Sequence, residues 1–236
     1  MPSPALLLVM PVFNEQASVG KVVTEWFREL ERATQDFVFL AIDDGSSDAT
    51  LQTLKALQAE LGSRMEWISR PNRGHGQTCL QGYRLALDRG IPYVFQLDSD
   101  GQSDPRYFAE FWRRRDEFDV IYGKRTRQDG FRRVVASLVL RVSLRILSKV
   151  DCVDANVPYR LMNTRACAEA IRSIPNEISL ANVALAVVLK RNPDIRHGGI
   201  EIGFPPRHGG EASVPFSKFA AKALELFTQL RKADFR

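Results

Sequence analysis

Three acidic residues, Asp98, Asp100 and Asp104, lie close together in the stretch FQLDSDGQSDP, directly after an apolar run. Carboxylates at the end of a buried strand are costly unless a cation holds them, and hard divalent cations prefer oxygen ligands. Asp98 and Asp100 can both face one metal ion if the chain turns near them, and Gly101 favours such a turn. The spacing therefore predicts a Mg²⁺ or Mn²⁺ site, kept partly open by water, that binds phosphate oxygens of a substrate.

A second interpretation of this stretch stays open at this point. Pro105 suits the first turn of a helix, and Asp104 or Ser103 would then be the N-cap residue. In that interpretation the acidic residues form a polar turn that binds no ligand.

Two more polar stretches follow apolar runs, at residues 11–15 (PVFNE) and 43–48 (DDGSSD). Ligands of parallel α/β sheets bind beyond the carboxyl ends of the strands, where loops converge and helix N-termini direct their amide groups outward. We therefore expect residues 11–15, 43–48 and 98–104 to share one rim.

The elements that must position these loops alternate along the chain. Apolar runs predict strands at about residues 5–11, 37–42, 93–97 and 120–123, and the stretch MEWISRPNRG (65–74) supplies the third strand of the chain. Apolar residues at helical spacing predict helices after the first three strands, as in Val19, Val22, Val23, Trp26, Phe27 and Leu30. Unbroken apolar strands that alternate with helices favour a mainly parallel sheet flanked by helices, so the predicted fold class is α/β.

The four stretches MPVFNE, AIDDGSSD, RPNRGHGQTCLQG and LDSDGQSDP, in this order, resemble the family-2 inverting nucleotide-sugar glycosyltransferases, which have the Rossmann-like GT-A fold. The resemblance covers residues 5–125 firmly and extends more loosely to Lys218. It implies that Asp98 and Asp100 are the metal-binding D-x-D pair. It also implies a set of nucleotide-binding residues, namely Pro11, Phe13, Glu15, Asp43, Asp44, Asn72, Gly74 and Asp98.

A narrower resemblance is to polyprenyl-phosphate sugar synthases of the dolichyl-phosphate mannose synthase type. LDSDGQSDP is similar to their D-x-D-x-Q element followed by proline, which makes Gln102 a third metal-side ligand. YGKRTR and FPPRHGGEAS resemble their arginine elements and imply diphosphate contacts by Arg125 and Arg207. VDANVPYRLM and the second arginine element imply an acceptor side that contains Asp154, Tyr159, Arg160 and Gly210. Val157, Pro158 and Ala212 depart from this pattern, so the sugar and the acceptor are not identified.

The chemistry of sugar transfer is consistent with these assignments. Breaking the bond to a nucleoside diphosphate builds negative charge on the leaving group, which a divalent cation and arginines stabilise. An ionised polyprenyl phosphate needs no strong base, whereas a hydroxyl acceptor does, and Asp154 is then the candidate. Asp154 is also explained as a turn residue, and both interpretations stay open.

Residues 124–149 contain eight basic residues and one acidic residue. Within them, residues 131–149 form a basic amphipathic pattern that suits either a membrane surface or a helix packed on the sheet or in a dimer. Residues 214–232 have a second amphipathic pattern with the same alternatives, so a homo-oligomer stays open.

The chain of 236 residues predicts one domain, with a nucleotide-binding half at about 1–125 and an acceptor-side half with amphipathic helices at about 126–236. It contains no apolar run of about 18 residues and no signal peptide, which favours a cytoplasmic protein, peripheral at the inner face of the cell membrane. Cys79, Cys152 and Cys167 are too dispersed to predict a disulfide or zinc framework. His75, His197 and His208 are dispersed too; the loops of His75 and His208 can bring them to the site, but solvated loop histidines are commoner than ligands.

Parts of the sequence suggest two other classes of protein. The stretch GHGQTC resembles a dinucleotide-binding loop, but Cys79 stands at the third glycine position and the stretch follows the third strand. A non-catalytic module that binds nucleic acid or membrane through the basic residues leaves the acidic loops unexplained, since they repel phosphates without a metal. We therefore expect an enzyme with no nucleic-acid partner, and the alternative within the family is transfer to a hydroxyl in polysaccharide or glycolipid synthesis.

Overall fold

The computed structural model describes residues 4–126, 157–176, 178 and 180–203, with the backbone alone at residues 125 and 126. The strands are β1 (Leu6–Val12), β2 (Phe37–Asp43), β3 (Met65–Ser69), β4 (Tyr93–Gln96), β5 (Val120–Thr126), β6 (Arg160–Asn163) and β7 (His197–Gly203). The helices are α1 (Val19–Ala33), α2 (Thr50–Leu61), α3 (His75–Asp88), α4 (Phe108–Arg113), α5 (Ala168–Ser173) and α6 (Ala181–Arg191). Short 3₁₀ turns lie at Gly62–Arg64 and Pro105–Tyr107.

The seven strands form one sheet in the order β3-β2-β1-β4-β6-β5-β7. β6 runs antiparallel to both of its neighbours, whereas the β1–β2, β2–β3, β1–β4 and β5–β7 pairs are parallel. The carboxyl ends of β1 to β5 and β7 therefore lie at one edge of the sheet, called the carboxyl edge below. The start of β6 lies at that edge too, because Arg160 pairs with Gln96 and Tyr122.

Alternate residues of β1 face two separate hydrophobic cores. Leu6, Leu8 and Met10 pack on the face covered by α1, α2 and α4. Leu7 and Val9 pack on the other face, with α3, α5 and α6. Both faces are buried, which explains why β1 and β2 read as unbroken apolar runs. The predicted α/β class and mainly parallel sheet are confirmed.

Helix α3 lies unusually close to β1, because a glycine stands at the contact. A Cβ atom at Gly82 would lie 2.3 Å from Val9 Cγ1, so no larger residue fits without a shift. This contact seats the helix whose first turn reaches the carboxyl edge.

Several predicted features lie outside the described residues. These are Asp154, Arg207, Gly210, Cys152 and the amphipathic segments 131–149 and 214–232; the side chain of Arg125 is outside them as well. Cys79 and Cys167 are buried free thiols, which agrees with the expectation of no disulfide between them.

Candidate active site

The three polar loops meet at the carboxyl edge, as their positions after parallel strands predict. The backbone N–H of Asp44 donates to Val12 O at 2.8 Å, and that of Asn14 donates to Ser46 Oγ at 2.9 Å. Ser18 Oγ donates to Ser99 O at 3.2 Å, which joins the first loop to the third. One rim therefore contains residues that are far apart in the sequence.

The first loop turns sharply after β1. Pro11 is a buried strand residue. Phe13 is 48% exposed, and within the described residues it is the large hydrophobic side chain that is exposed to solvent. Asn14 has φ 53°, a left-handed conformation that asparagine tolerates. Ser18 Oγ donates to Glu15 Oε2 at 2.6 Å, which fixes this carboxylate at the start of α1. The loop thus presents an aromatic ring and a carboxylate on the rim.

The second loop contains two buried carboxylates. Asp43 accepts hydrogen bonds from Ser46 N at 3.1 Å and Ser69 Oγ at 2.7 Å. Asp44 is 3% exposed, and its oxygens accept from the backbone N–H groups of Arg73 at 3.0 Å and Gly74 at 2.7 Å. Asp44 therefore holds the backbone at the start of α3.

Gly45 lets the second loop pack against the loop after β3. Its φ is +81°, and a Cβ atom there would lie 2.9 Å from the backbone N of Asn72. Only glycine satisfies both the backbone conformation and the close approach. The side chain of Asn72 is exposed at this junction.

Arg70 completes the second loop and was not among the residues predicted from the sequence. Its Nη2 lies 3.0 Å from Asp44 Oδ1 and donates to Thr78 Oγ1 at 2.7 Å. The side chains of Arg70 and Asp44 are 13% and 4% exposed. A signal was present in the sequence, since Arg70 directly follows the third strand and so had to lie at the same edge as the acidic loops.

Asp98 follows β4 and contacts a histidine of α3. His75 Nε2 lies 2.9 Å from Asp98 Oδ1, so its loop does bring His75 to the site, the alternative that the sequence left open. Partial burial lowers the pKa of His75, but Cys79 and the carboxylate of Asp98 raise it, and the net pKa lies well above the ordinary value. His75 therefore belongs to the candidate site.

The loop that contains Asp100 is held by a series of turns. Gln102 N donates to Asp100 Oδ1 at 3.0 Å, and Gly101 has φ +76°. Asp104 caps the following 3₁₀ turn by accepting from Arg106 N, so the N-cap interpretation is confirmed for Asp104. Trp26 Nε1 donates to Ser103 O at 3.0 Å and anchors the loop to α1.

The loop at residues 98–104, called the acidic loop below, suits a hard divalent cation that is bound by few protein ligands. Within the described part of the chain, no group of three or more His, Cys, Asp or Glu residues is arranged to hold a metal ion. Mg²⁺ is commonly bound by one or two carboxylates together with water and substrate phosphates. Asp98, Asp100 and Gln102 supply oxygen donors of that kind from one loop.

Tyr159 and Arg160, predicted on the acceptor side, are both fully buried. Tyr159 packs against Phe95, and its hydroxyl donates to Asp104 O at 3.0 Å. Tyr159 therefore stabilises the acidic loop from the core side. The guanidinium of Arg160 lies 5.3 Å from the centre of the Tyr122 ring. In this structure neither residue reaches the surface, and the acceptor contact expected of both stays a prediction.

A groove of about 850 Å³ adjoins the rim along α1. Its lining includes Glu15 and Asp100 but not Asp44 or Asp98, so it meets the candidate site at one side only. In the part of the chain that the structure describes, no helix is both long and apolar enough to cross a membrane.

Relatives of known name match much of the chain. It is 23% identical over 231 residues to YkcC of Bacillus subtilis, an uncharacterized glycosyltransferase, covering 94% of this chain and 67% of the relative. It is 24% identical over 238 residues to the undecaprenyl-phosphate 4-deoxy-4-formamido-L-arabinose transferase of Proteus mirabilis, covering 97% and 68%. It is 32% identical over 130 residues to the dodecaprenyl-phosphate galacturonate synthase of Rhizobium johnstonii, covering 53% of this chain and 37% of that protein.

Solved structures share the fold. The glucosyl-3-phosphoglycerate synthase of Mycobacterium tuberculosis, in complex with Mn²⁺, UDP-glucose and phosphoglyceric acid, superposes with a TM-score of 0.67 at 15% identity, covering 98% of this chain and 79% of that chain. The mannosyl-3-phosphoglycerate synthase of Rubrobacter xylanophilus gives a TM-score of 0.65 at 15% identity, covering 97% and 74%. These likenesses establish a GT-A fold. The model of the family described as Glycosyl transferase family 2 matches residues 7–169, and the chain belongs to that family.

Proposed function

We propose that this glycosyltransferase moves a sugar from a nucleotide-diphosphate sugar to a polyprenyl phosphate, with inversion at the anomeric carbon and dependence on a divalent metal ion. The observation that carries the proposal is the meeting of three carboxylate-bearing loops at the carboxyl edge. In this fold class that edge is where ligands bind.

The first and second loops bind the nucleotide in this proposal. Phe13 offers an exposed ring that can stack on the base, and Glu15 and Asp44 offer oxygen acceptors. Pro11 and Asp43 shape the loops from buried positions, and Asn72 and Gly74 line the junction between the loops. The nucleotide would thus lie over the ends of β1, β2 and β3.

The acidic loop binds the diphosphate end. Asp98, Asp100 and Gln102 would hold the cation, which supplies positive charge to the departing diphosphate. Two arginines serve the same diphosphate. Arg125 lies in β5 near its carboxyl end, and Arg207 follows the last residue of β7, Gly203, by four residues in the sequence. A guanidinium binds two phosphate oxygens at once and stays charged. Both arginines therefore suit the negative charge that develops on the leaving diphosphate.

The acceptor is proposed from two lines of support. The Proteus and Rhizobium relatives are named as polyprenyl-phosphate transferases, and the DSDGQ element resembles such enzymes. A phosphate acceptor is ionised near neutral pH and needs no strong general base. For a hydroxyl acceptor Asp154 would be the base, and this remains the competing assignment.

The enzyme is proposed to act at the cytoplasmic face of the membrane as a peripheral protein. The support is the basic amphipathic pattern of residues 131–149, which suits anionic headgroups. Packing of this segment in a homo-oligomer is the competing role.

A thermal-shift panel tests the donor site. UDP-, GDP- and other nucleotide sugars are added with and without Mn²⁺, and one nucleotide class is expected to raise the melting temperature of the wild type in a Mn²⁺-dependent way. In Asp100→Ala this increase should largely disappear. Asp194→Ala, an exposed aspartate in the turn before β7, is the matched control and should respond as the wild type. Equal responses of the wild type and Asp100→Ala would contradict the site.

The acceptor is tested separately with the nucleotide sugar found by that panel. Radiolabelled sugar should appear in a product extracted with undecaprenyl phosphate, and not with undecaprenol. Transfer to the alcohol at an equal rate would favour the hydroxyl-acceptor assignment instead.

A further inference from the structure

The carboxylate of Asp98, the first proposed metal ligand, is contacted by side chains from outside its own loop. Among the described residues, His75 Nε2 lies 2.9 Å from Asp98 Oδ1, and Gln96 Nε2 makes a long contact with the same oxygen at 3.5 Å. They come from different elements, α3 and β4. Ionised aspartate only accepts hydrogen bonds, so His75 has its proton on Nε2 whether the ring is neutral or charged.

A buried polar chain lies behind Gln96. The hydroxyl of Tyr83 contacts Gln96 Oε1, and it lies 2.9 Å from Asn182 Oδ1 on α6. Gln96, Tyr83 and Asn182 are at most 2% exposed, and Tyr83 belongs to the hydrophobic core on the face of α3, α5 and α6. Polar groups placed there must satisfy one another, because water does not reach them.

The direction of this chain follows from counting hydrogens. Tyr83 has one hydroxyl hydrogen, but two carbonyl oxygens face it, while Asn182 Nδ2 is buried without a hydrogen-bond partner. A half-turn of the Asn182 amide gives the Tyr83 hydroxyl one donor and one acceptor, since the oxygen and nitrogen of an amide are assigned from the network. Asn182 then donates to Tyr83, Tyr83 donates to Gln96 Oε1, and Gln96 directs its Nε2 hydrogens toward Asp98.

The position of His75 is fixed equally firmly. It is the first residue of α3, directly after Gly74, whose N–H is held by Asp44 Oδ2 at 2.7 Å. The helix itself is seated on β1 through Gly82. The ring of His75 is therefore brought to Asp98 by the backbone, and the nucleotide-side and metal-side loops are joined through it.

We propose that His75 is a positioning residue for the metal site: together with Gln96, and with Tyr83 and Asn182 behind it, it orients the Asp98 carboxylate toward the cation. This rests on the proposed function, because it assumes that Asp98 is a metal ligand. Groups that donate to a ligating carboxylate commonly alter metal affinity when removed. His75 itself binds neither the metal nor the substrate in this proposal.

The test measures metal affinity directly, by titrating the purified full chain with Mn²⁺ in the presence of UDP, and separately of GDP, and following free Mn²⁺ by electron paramagnetic resonance. His75→Leu removes the donor and should weaken Mn²⁺ binding by about 10- to 100-fold. His75→Gln places an amide N–H near the position of Nε2 and should recover most of the affinity. His197→Gln, which changes a histidine near the opposite edge, is the matched control and should bind as the wild type.

The outcomes separate this inference from the function on which it rests. Unchanged affinity in folded His75→Leu, or an equal loss in His75→Leu and His75→Gln, overturns the positioning role and leaves the metal site standing. A wild type that binds no Mn²⁺ with either nucleotide overturns both. If His75→Leu does not fold, His75→Ala serves in its place, because the side chain is 44% exposed and its removal adds no bulk.

Discussion

The two edges of the sheet each contain an aspartate held by an arginine. At the carboxyl edge, Asp44 pairs with Arg70 and accepts two backbone N–H bonds from the start of α3. At the opposite edge, Asp119, just before β5, accepts from the backbone N–H of Arg196 at 2.9 Å and from its guanidinium at 3.1 Å. The same pair of side chains thus occurs at both edges.

The two pairs differ in burial and in their neighbours. The side chain of Arg70 is 13% exposed, whereas that of Arg196 is 58% exposed. Asp44 stands among three polar loops that follow parallel strands, while Asp119 joins the starts of β5 and β7. An arginine–aspartate pair therefore does not identify a ligand site by itself. Its position at the carboxyl ends of parallel strands is what indicates such a site.

The largest effect is expected for Asp44→Ala. Removing one partner of a buried ion pair leaves the guanidinium of Arg70 without its counter-charge, which costs about 3–5 kcal/mol of unfolding free energy. Chemical denaturation measures the loss, and a thermal shift with the nucleotide should vanish in the same variant. A variant of wild-type stability would show that Arg70 finds another partner.

Asp98→Ala should leave the fold intact and abolish most of the activity. Asp98 is a metal ligand in the proposed site, so its loss should remove stabilisation of the leaving diphosphate, and a fall of about 100-fold or more in turnover is expected. Sugar transfer at saturating Mn²⁺ measures it. Asp119→Ala is the comparator, and an equal loss of turnover in that variant would remove the distinction between the two edges.

Asp119→Ala should destabilise the protein by about 1–2 kcal/mol without affecting nucleotide binding. The carboxylate accepts several hydrogen bonds, but solvent screens its pairing with the exposed Arg196. Denaturant titration gives the difference from the wild type. Impaired nucleotide binding in the folded variant would contradict a purely structural role.

The same pair predicts a dependence on pH. Hydrogen bonds from the Arg196 side chain lower the pKa of Asp119, against the opposing effect of burial. A lowered folded-state pKa gives stability that is present above the unfolded value of about 4 and is lost as the pH falls through the folded value. The stability gap between the wild type and Asp119→Ala should therefore be constant near neutral pH and shrink in acid. If the difference in stability persists at low pH, packing rather than the charge of Asp119 causes it.

The smallest effect is expected for Tyr159→Phe. This change removes the bond to Asp104 O while keeping the ring among its aromatic neighbours, so about 0.5–1.5 kcal/mol of stability is lost. Turnover at saturating donor should fall only slightly. A loss as large as that of Asp98→Ala would mean that Tyr159 controls the acidic loop far more strongly than one hydrogen bond suggests.

The first half of the fold was predictable because its signals are local. The apolar residues predicted for the first helix are the buried residues of α1, and the bounds predicted for β1, β2 and β4 are correct to within a residue. The convergence of the acidic loops followed from parallel pairing alone. Arg70 was missed and His75 was left undecided for a common reason: their positions in the site depend on contacts across loops, with Asp44 and Asp98.

The second half depends on long-range pairing that sequence patterns do not encode. β7 contains three glycines, which are poor strand formers, and no strand was predicted there. The antiparallel direction of β6 is set by its neighbours rather than by its own residues. The burial of Tyr159 and Arg160 follows from that placement, whereas their assignment to the acceptor side came from the resemblance and carried no information on burial.

The reversed direction of β6 has an architectural consequence. Because β5 ends and β6 begins at the same edge, both ends of the connection between them lie at the carboxyl edge. Such a connection can change in length or sequence among descendants without altering strand registration. If residues after 125 form the acceptor side, as proposed, the acceptor can change in evolution while the loops proposed to bind the donor stay the same.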